Sequence, residues 1–590
     1  MRKKFSVTKR LFLSPVACGI LLSLVVTLPL LKYSQFREDD HIQLGVLSGK
    51  LNYPWMGSLN LYGFISGDPG YIPGMISQGP FTWEMGINSS LKVNFFRPLS
   101  SALMSLTYKV FGLKPLGYTL HSISWYTAAV ILLGFLFMRI FPRSENHCWH
   151  PAVYIALIMF AISSSNSFTV MWNAARWIII AVTLSLAGLL AHIKWREDNW
   201  RWGRLLSLAA FLTALLAGEV TLAVMAFVAA YELLAHPDPL KKRIKALLPA
   251  TLLVVVYLAL YKGMGCGTAG ISDYLDPFND TAAFFSALPG KGLSFMGELF
   301  FGSNASLWYF PERRLAVVLL GAAAIVLVGL LLYPVWKSSS RSQQRRILWI
   351  ITGTLGSLLP LSARSPSSHV MLIPLIGGSV LVGFILYYWG QQVKKLFSFR
   401  NVPGILACTA LVVLLFIRPP LAWYRFAGDW QENHQRVETF HCQSVLNQLL
   451  PHQKAIFLNF NDWAYDFHGY YYRKLYDMPM PASWWRLSSS SQPRRYLRTA
   501  EDTLEMEVID DSQTRGSEPM NNDPGKDNVI RLQGLQVTIL KTGLDGPNRV
   551  EFKFDRSLDD GVYRFLLWRE GCLHFQEPPP VGESIVVSNE

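Results

Sequence analysis

The sequence predicts a mainly α-helical, polytopic membrane protein that ends in a water-soluble α/β domain. Three observations carry this expectation. Of 590 residues, 51% are apolar and only 16% are charged, against about 25% charged in ordinary soluble domains. Long uncharged runs fill the chain up to about Ile417, whereas from Arg418 onward the composition is that of a soluble protein. Short loops rich in Lys and Arg alternate with short loops nearly free of them. The expected division is therefore a membrane domain over residues 1–420 and a soluble domain over 421–590.

A helix needs roughly 20 mostly apolar residues to cross the hydrocarbon core. Such runs stand at Leu11–Leu31, Leu116–Ile140, Pro151–Ser165, Trp172–Ile193, Leu205–Leu216 and Val220–Leu234. Others follow at Ala246–Tyr261, Leu315–Val335, Ile347–Leu361, Val370–Trp389 and Val402–Ile417, about eleven spans in all. The first run follows Arg2, Lys3, Lys4, Lys9 and Arg10 and lacks a small-residue cleavage site, so it reads as an uncleaved anchor.

With the N-terminus cytoplasmic, every second loop is basic. These loops hold Arg139 and Arg143, the group from Lys194 to Arg204, Lys241 to Lys245, Lys337 to Arg346, and Lys394 to Arg400. The extracytoplasmic face then carries the long segment 32–114, the turn at Gly218–Glu219, the loop 262–314, the turn Ser362–His369 and the C-terminal domain.

A net charge of +14 would suit a nucleic-acid binder, but the basic residues are not gathered into one aromatic-laced patch. Membrane lipids, and no nucleic acid, are the expected partners. The six cysteines form no C-x-x-C pair and no metal-ligand spacing. Cys442 and Cys572 are the two that a disulfide would join, with the unpaired state the favoured reading.

Several charged groups fall on the outer face. Glu38-Asp39-Asp40 places three consecutive carboxylates where the chain leaves the first span. A solvated loop is the plain reading of such a triplet. Glu219 lies between two apolar runs, where an ionisable group costs roughly 2.5–3.5 kcal/mol on insertion scales. It is either a helix-end carboxylate reaching interfacial water or a group with a partner and a task. Arg176 begins a span on the same face and offers either a bidentate fork for phosphate or a headgroup contact. Arg364 and His369 offer donors to an anionic ligand from the turn Ser362–His369. Arg97 precedes Pro98 at a helix start.

A carboxylate base ringed by cations at a lipid-accessible face suits transfer of a sugar from a polyprenyl phosphate to a hydroxyl. The base takes the acceptor proton, and the cations stabilise charge growing on the departing phosphate. Ion-coupled transport also places acidic and basic groups in membrane helices.

The segment Asn94-Phe-Phe-Arg-Pro-Leu-Ser-Ser-Ala-Leu103, with Phe111-Gly-Leu-Lys-Pro-Leu-Gly-Tyr-Thr-Leu-His121, resembles a pattern of the GT-C superfamily of membrane glycosyltransferases. That pattern is Y-R-P-L … G-L-x-P-x-G-x-H-x-x-N, and the likeness is to the branch holding the tetratricopeptide-bearing O-mannosyltransferases and their bacterial relatives. Asp39-Asp40, the stretch Phe168 to Arg176, Leu216-Ala-Gly-Glu219 and Ser368 to Gly377 are similar to further blocks of that branch, in the same order.

The resemblance implies a GT-C-like fold over roughly residues 10–420 and a polyprenyl-phosphate-linked sugar donor. It also implies an inverting transfer to a glycan, lipid or protein acceptor on the extracytoplasmic face. By position it makes Asp39 or Asp40 the general base, Arg176 and Arg97 the phosphate contacts, and Glu219 a second acidic residue of the site. A bacterial cytoplasmic membrane is the expected setting, and Mg or Mn are the divalent ions that carboxylates of this kind would hold. The chain departs from the pattern at His369, where relatives often carry Arg, and at Arg176-Trp177-Ile178, which lacks the usual acid. It has no tetratricopeptide array.

In the soluble domain a helix is expected through Leu450, then the apolar run Ala455–Asn459 and an aromatic cluster from Trp463 to Tyr472. A polar flexible loop is expected over 501–528, followed by strands over Val529–Lys541, Arg549–Phe554 and Val562–Trp568. Two rival readings stand beside glycosyl transfer. A transporter or flippase of lipid-linked sugars predicts an internal repeat, which the sequence lacks. A non-catalytic scaffold leaves Asp39, Asp40 and Glu219 without a purpose.

Overall fold

The computed structural model describes residues 14–87, 91–141, 149–271, 273–393, 401–460, 462, 464–488, 492–509, 529–543 and 546–588. The basic N-terminus, Arg143, Lys394, Lys395, Arg400, Trp463 and most of the expected loop, 510–528, lie outside them.

Every apolar run read from the sequence is helical. In chain order, with the connecting helices included, the first are α1 (Pro15–Thr27), α2 (Asp39–Leu47), α3 (Ile72–Gln78), α4 (Pro98–Phe111), α5 (Pro115–Ile140), α6 (Pro151–Ile162) and α7 (Ser165–Met171). Then come α8 (Arg176–Asp198), α9 (Gly203–Ala217), α10 (Thr221–Ala230), α11 (Leu240–Gly263), α12 (Thr281–Phe301) and α13 (Pro311–Ser338). The last are α14 (Arg341–Leu361), α15 (Pro374–Gln392), α16 (Val402–Val412), α17 (Arg418–Gln443) and α18 (Phe467–Leu475).

Six of the described helical runs are long and apolar enough to cross a bilayer, or seven if α6 and α7, bent by 52°, make one span. That is fewer than the eleven expected. Length gives one reason: the 15 residues of α9 reach only about 22 Å at 1.5 Å per residue, short of the ~30 Å hydrocarbon core. Another correction concerns the loop 262–314, which contains the 21-residue helix α12. Both ends of α12 meet groups on the side expected to be outer. Lys262 pairs with Asp276 just before it, and Glu298 near its end accepts from Ser368 Oγ at 3.1 Å.

The loops sort to two ends of the helix bundle. At one end Arg139 pairs with Glu197 and Asp198, and Arg346 Nη1 donates to the carbonyls of Arg139 and Ile140. At the other end stand Asp39, Arg97, Glu219, Arg364 and His369. A small antiparallel sheet there, β1 (Gly63–Ile65), β2 (Lys92–Asn94) and β3 (Gly267–Ala269), stitches the first long loop to the loop after α11.

The C-terminal domain is α/β, as expected. One sheet has four strands in the order β12-β11-β4-β5 and the other six in the order β13-β6-β7-β10-β9-β8. Here β4 is Lys454–Phe457, β5 Ser483–Arg486, β6 Arg494–Ala500, β7 Thr503–Val508 and β8 Val529–Leu532. The others are β9 Leu535–Gly543, β10 Gly546–Phe554, β11 Tyr563–Arg569, β12 Cys572–Gln576 and β13 Ser584–Val587. β4 and β5 are parallel and joined through α18, which makes a βαβ crossover. The expected loop over 501–528 is corrected at its start: Thr503–Val508 is a strand, because Leu504 and Met506 point into the core between charged outward residues. Cys442 and Cys572 are free and exposed.

No linker marks the division at residue 420. Helix runs without a break from Val402 to beyond Gln443, through a π-turn at Val413–Ile417. Pro419 and Pro420 fall in the first turn of α17, where proline leaves no bond unmade. The first long loop also enters the core of the C-terminal domain. Phe81 and Trp83 are 4% and 2% exposed, Phe81 meets Phe467 at 5.3 Å, and Trp83 meets Phe552 at 5.8 Å. Trp83 Nε1 donates to the carbonyl of Leu487 at 3.1 Å, and Arg486 Nη2 donates to that of Pro80 at 2.8 Å.

Each such aromatic contributes about 1.5–3 kcal/mol by burial. A fragment comprising 421–590 alone is therefore expected to lose its fixed packing and to bind a hydrophobic dye, with a flat near-ultraviolet circular dichroism spectrum. A sharp cooperative melt of that fragment would show that the shared core is dispensable.

Candidate functional site

The site is built on the first turn of α2. Asp40 is 1% exposed, and its carboxylate accepts three N–H donors. These are the Arg37 amide at 3.1 Å, Asn173 Nδ2 at 3.3 Å and the Ala174 amide at 2.6 Å. The last two come from the short 3₁₀ turn Asn173–Ala175 that leads into α8. Asp40 thus binds the outer helix to the membrane bundle. Tyr62 supports the joint by donating its hydroxyl to the Ala174 carbonyl at 3.1 Å.

Asp39, one residue earlier, is in the opposite situation. Among the described residues its carboxylate accepts no hydrogen bond, and it keeps part of its surface open. Burial by the surrounding protein pushes it up to about 7, with the neighbouring charges of Glu38 and Asp40 adding to the effect and Arg364 and Arg97 opposing it. Burial likewise raises Asp40 to about 7, against its three donors. Because every contact of Asp40 is a donor, its anionic form is the one that the geometry serves. Glu38 precedes the helix at φ 46° and ψ −120°, a conformation that costs a non-glycine residue of order 1–3 kcal/mol.

The nearest uncommitted cation is Arg364. Its Nη1 donates to His369 Nε2 at 2.9 Å. Since guanidinium can only donate, that nitrogen must accept, which leaves the proton on Nδ1, where it bonds Ser367 Oγ at 2.5 Å. Burial and the Arg364 and Arg97 charges hold His369 well below its ordinary range, so it is the neutral tautomer. His369 therefore aims Arg364 rather than adding a charge. Burial works against the Arg364 charge, but Tyr274, Tyr309 and Asp273 outweigh it. Arg364 Nε has no partner among the described residues.

Two expected phosphate contacts are placed otherwise. Arg176 is 2% exposed and faces the bundle interior. Its Nη1 donates to the Tyr118 carbonyl at 2.9 Å, and its Nη2 lies 3.0 Å from the Met104 sulfur. The reason is steric, because α4 and α5 cap the start of α8. Arg97 Nε donates to Glu219 Oε2 at 2.9 Å while a second nitrogen binds the other oxygen, and its guanidinium lies 3.4 Å from the Trp177 ring centre. That fork is satisfied, and Glu219 is half of an ion pair rather than a second free acid.

Glu38, Ser367, Asp273, Tyr274 and Tyr309 were missed from the sequence. Ser367 was legible two residues before His369. The Asp273–Tyr309 group had no signal, because it depends on a long-range bridge between Tyr274 and Arg364. Among the described residues no group of three or more His, Cys, Asp or Glu side chains is placed to hold a metal ion.

Comparison with solved structures finds similarity to ArnT from Cupriavidus metallidurans bound to undecaprenyl phosphate, at 14% identity over 79% of this chain and 85% of that one, with a TM-score of 0.39. The arabinofuranosyltransferase AftD from Mycobacteria is similar at 12% identity over 95% of this chain and 41% of that one, with a TM-score of 0.36. No family model and no curated protein matches the chain.

The two aspartates should separate in thermal melts of the purified protein. Asp40→Ala strands two amide donors and is expected to cost about 1–3 kcal/mol, read as a lower melting temperature. Asp39→Asn should melt as wild type below pH 4. Stability tied to a raised carboxyl is lost as pH rises toward about 7, so at pH 8 Asp39→Asn should melt higher than wild type.

Proposed function

We propose that the protein is a membrane glycosyltransferase that moves a sugar from a polyprenyl-phosphate donor to an acceptor hydroxyl at the end of the bundle bearing α2. The observation that carries this reading is the pairing of an unpartnered carboxylate, Asp39, with a guanidinium, Arg364, aimed by a neutral histidine. The order of motifs resembling GT-C enzymes supports it.

In this mechanism Asp39, ionised near neutral pH, takes the proton of the acceptor hydroxyl as its oxygen attacks the anomeric carbon. The C1–O bond to the phosphate breaks on the opposite face, which inverts the configuration. Arg364 donates to the phosphate oxygens as charge accumulates there, through Nε and its free Nη hydrogens. Arg97 and Glu219 form a preset neutral wall beside the site. If the reaction takes a divalent ion such as Mg or Mn, Glu38 and Asp39 are the carboxylates within its reach. The face is extracytoplasmic if the positive-inside pattern holds, and the acceptor is a glycan, lipid or protein hydroxyl.

The test is transfer from a panel of radiolabelled polyprenyl-phosphate sugars in proteoliposomes. Asp39→Asn is expected to lower kcat by about 10²–10⁴-fold, and undiminished transfer would refute the assignment. Because the base must be ionised, the wild-type rate should climb as pH approaches about 7 and then level. Arg364→Gln removes a charge that favours the ionised carboxylate, so its acidic limb should move to higher pH while kcat falls. An unmoved limb would separate Arg364 from Asp39.

A further inference from the structure

An open cleft of about 340 Å³ lies at the other end of α2, a size within the range of small-molecule sites. Val46, Leu47, Asn52, Tyr53, Met56 and Ser58 line it together with glycines, and no charged side chain does. Asp39 and Val46 are seven residues apart, two helical turns, so they share a face of α2 about 10 Å apart.

A ladder of aromatic rings adjoins the cleft. Tyr53 stacks on Trp55 with ring centres 5.3 Å apart and planes 23° apart, and Trp55 meets Tyr71 at 4.8 Å. Tyr71 is 41% exposed, a large amphipathic ring left at the surface. The wall is rigid. Tyr53 and Tyr471 share a hydroxyl–hydroxyl contact of 3.3 Å, and Lys50 Nζ bonds the Leu475 carbonyl at 2.6 Å and Asp477 at 2.5 Å. An added Cβ at Gly49 or Gly57 would meet no atom within 4 Å, so these positions face free space.

We propose that this cleft and its Tyr53–Trp55–Tyr71 ladder hold the sugar rings of a neutral glycan acceptor whose terminal hydroxyl extends along α2 to Asp39. The inference rests on the glycosyl-transfer reading and narrows its acceptor from glycan, lipid or protein to glycan. The chemistry is that of a sugar: flat C–H faces that lie against aromatic rings, and hydroxyls that exchange hydrogen bonds with Asn52, Ser58 and Tyr53. An uncharged lining gives no reason to hold an anionic headgroup, and an open cleft with short polar side chains is not the dry groove that an acyl chain needs.

Binding can be read without turnover. The full chain in nanodiscs would be titrated with neutral tetrasaccharides of glucose, mannose, galactose and arabinose, followed by calorimetry and tryptophan fluorescence. At least one is expected to bind saturably, and an anionic uronic-acid tetrasaccharide is expected to bind no tighter. Gly57→Tyr, which fills the cleft where there is room for a side chain, and Tyr71→Ala, which shortens the ladder, should each weaken binding about tenfold, or 1.4 kcal/mol, without lowering the melting temperature.

Asp39→Asn should leave sugar binding intact. Binding that persists in a protein without transferase activity would therefore reject the catalytic reading and keep the cleft as a carbohydrate site. Active transfer with no saturable sugar binding, or with binding that Gly57→Tyr does not alter, would overturn the inference alone.

Discussion

The arrangement depends on one buried carboxylate. Asp40 takes amide donors from its own turn and from the turn before α8, and a charge so enclosed is tolerable only when each oxygen has a donor. This fixes the rotation of α2. Successive residues on a helix are about 100° apart, so holding Asp40 inward turns Asp39 to another side, toward Arg364. The unfavourable φ of Glu38 is the local cost of bringing the chain into that turn. Two adjacent residues of the same type thus come to opposite uses, one as a joint and one as a free acid.

The same helix belongs to two bodies. Ile42 is buried with the aromatic core of the C-terminal domain, while Leu44 is buried with the membrane bundle. Buried His41 carries the contact further, lying 5.4 Å from Tyr472 of α18. The C-terminal domain is therefore a wall of the site's surroundings and not a separate module carried by the bundle. Its sheets supply the apolar surface against which the first long loop folds.

Much of this was legible in the sequence, and the losses are instructive. Long apolar runs determine helices, because a segment surrounded by lipid or apolar neighbours must satisfy its own backbone bonds. Composition could not say which helices are too short to span, nor that a helix with internal Lys291 and Glu298 would lie among the outer loops. Charges were harder. Arg176, Arg97 and Arg364 look alike in sequence, yet one points into the bundle, one is locked to Glu219, and one keeps a free edge. Partners far along the chain decide among them, and no local pattern records those partners. The likeness of motifs placed the residues on the correct segments without telling joint from acid at Asp39-Asp40.

The unbroken helix from Val402 past Gln443 has a mechanical meaning. A coiled tether would let the outer domain drift, whereas a continuous helix acts as a strut with a fixed phase. Adding or removing a single residue within it would swing everything beyond by about 100° and shift it by 1.5 Å. Chain length in this region is thus under a geometric constraint that its composition does not reveal, and whole-turn insertions are the changes that it can absorb most readily.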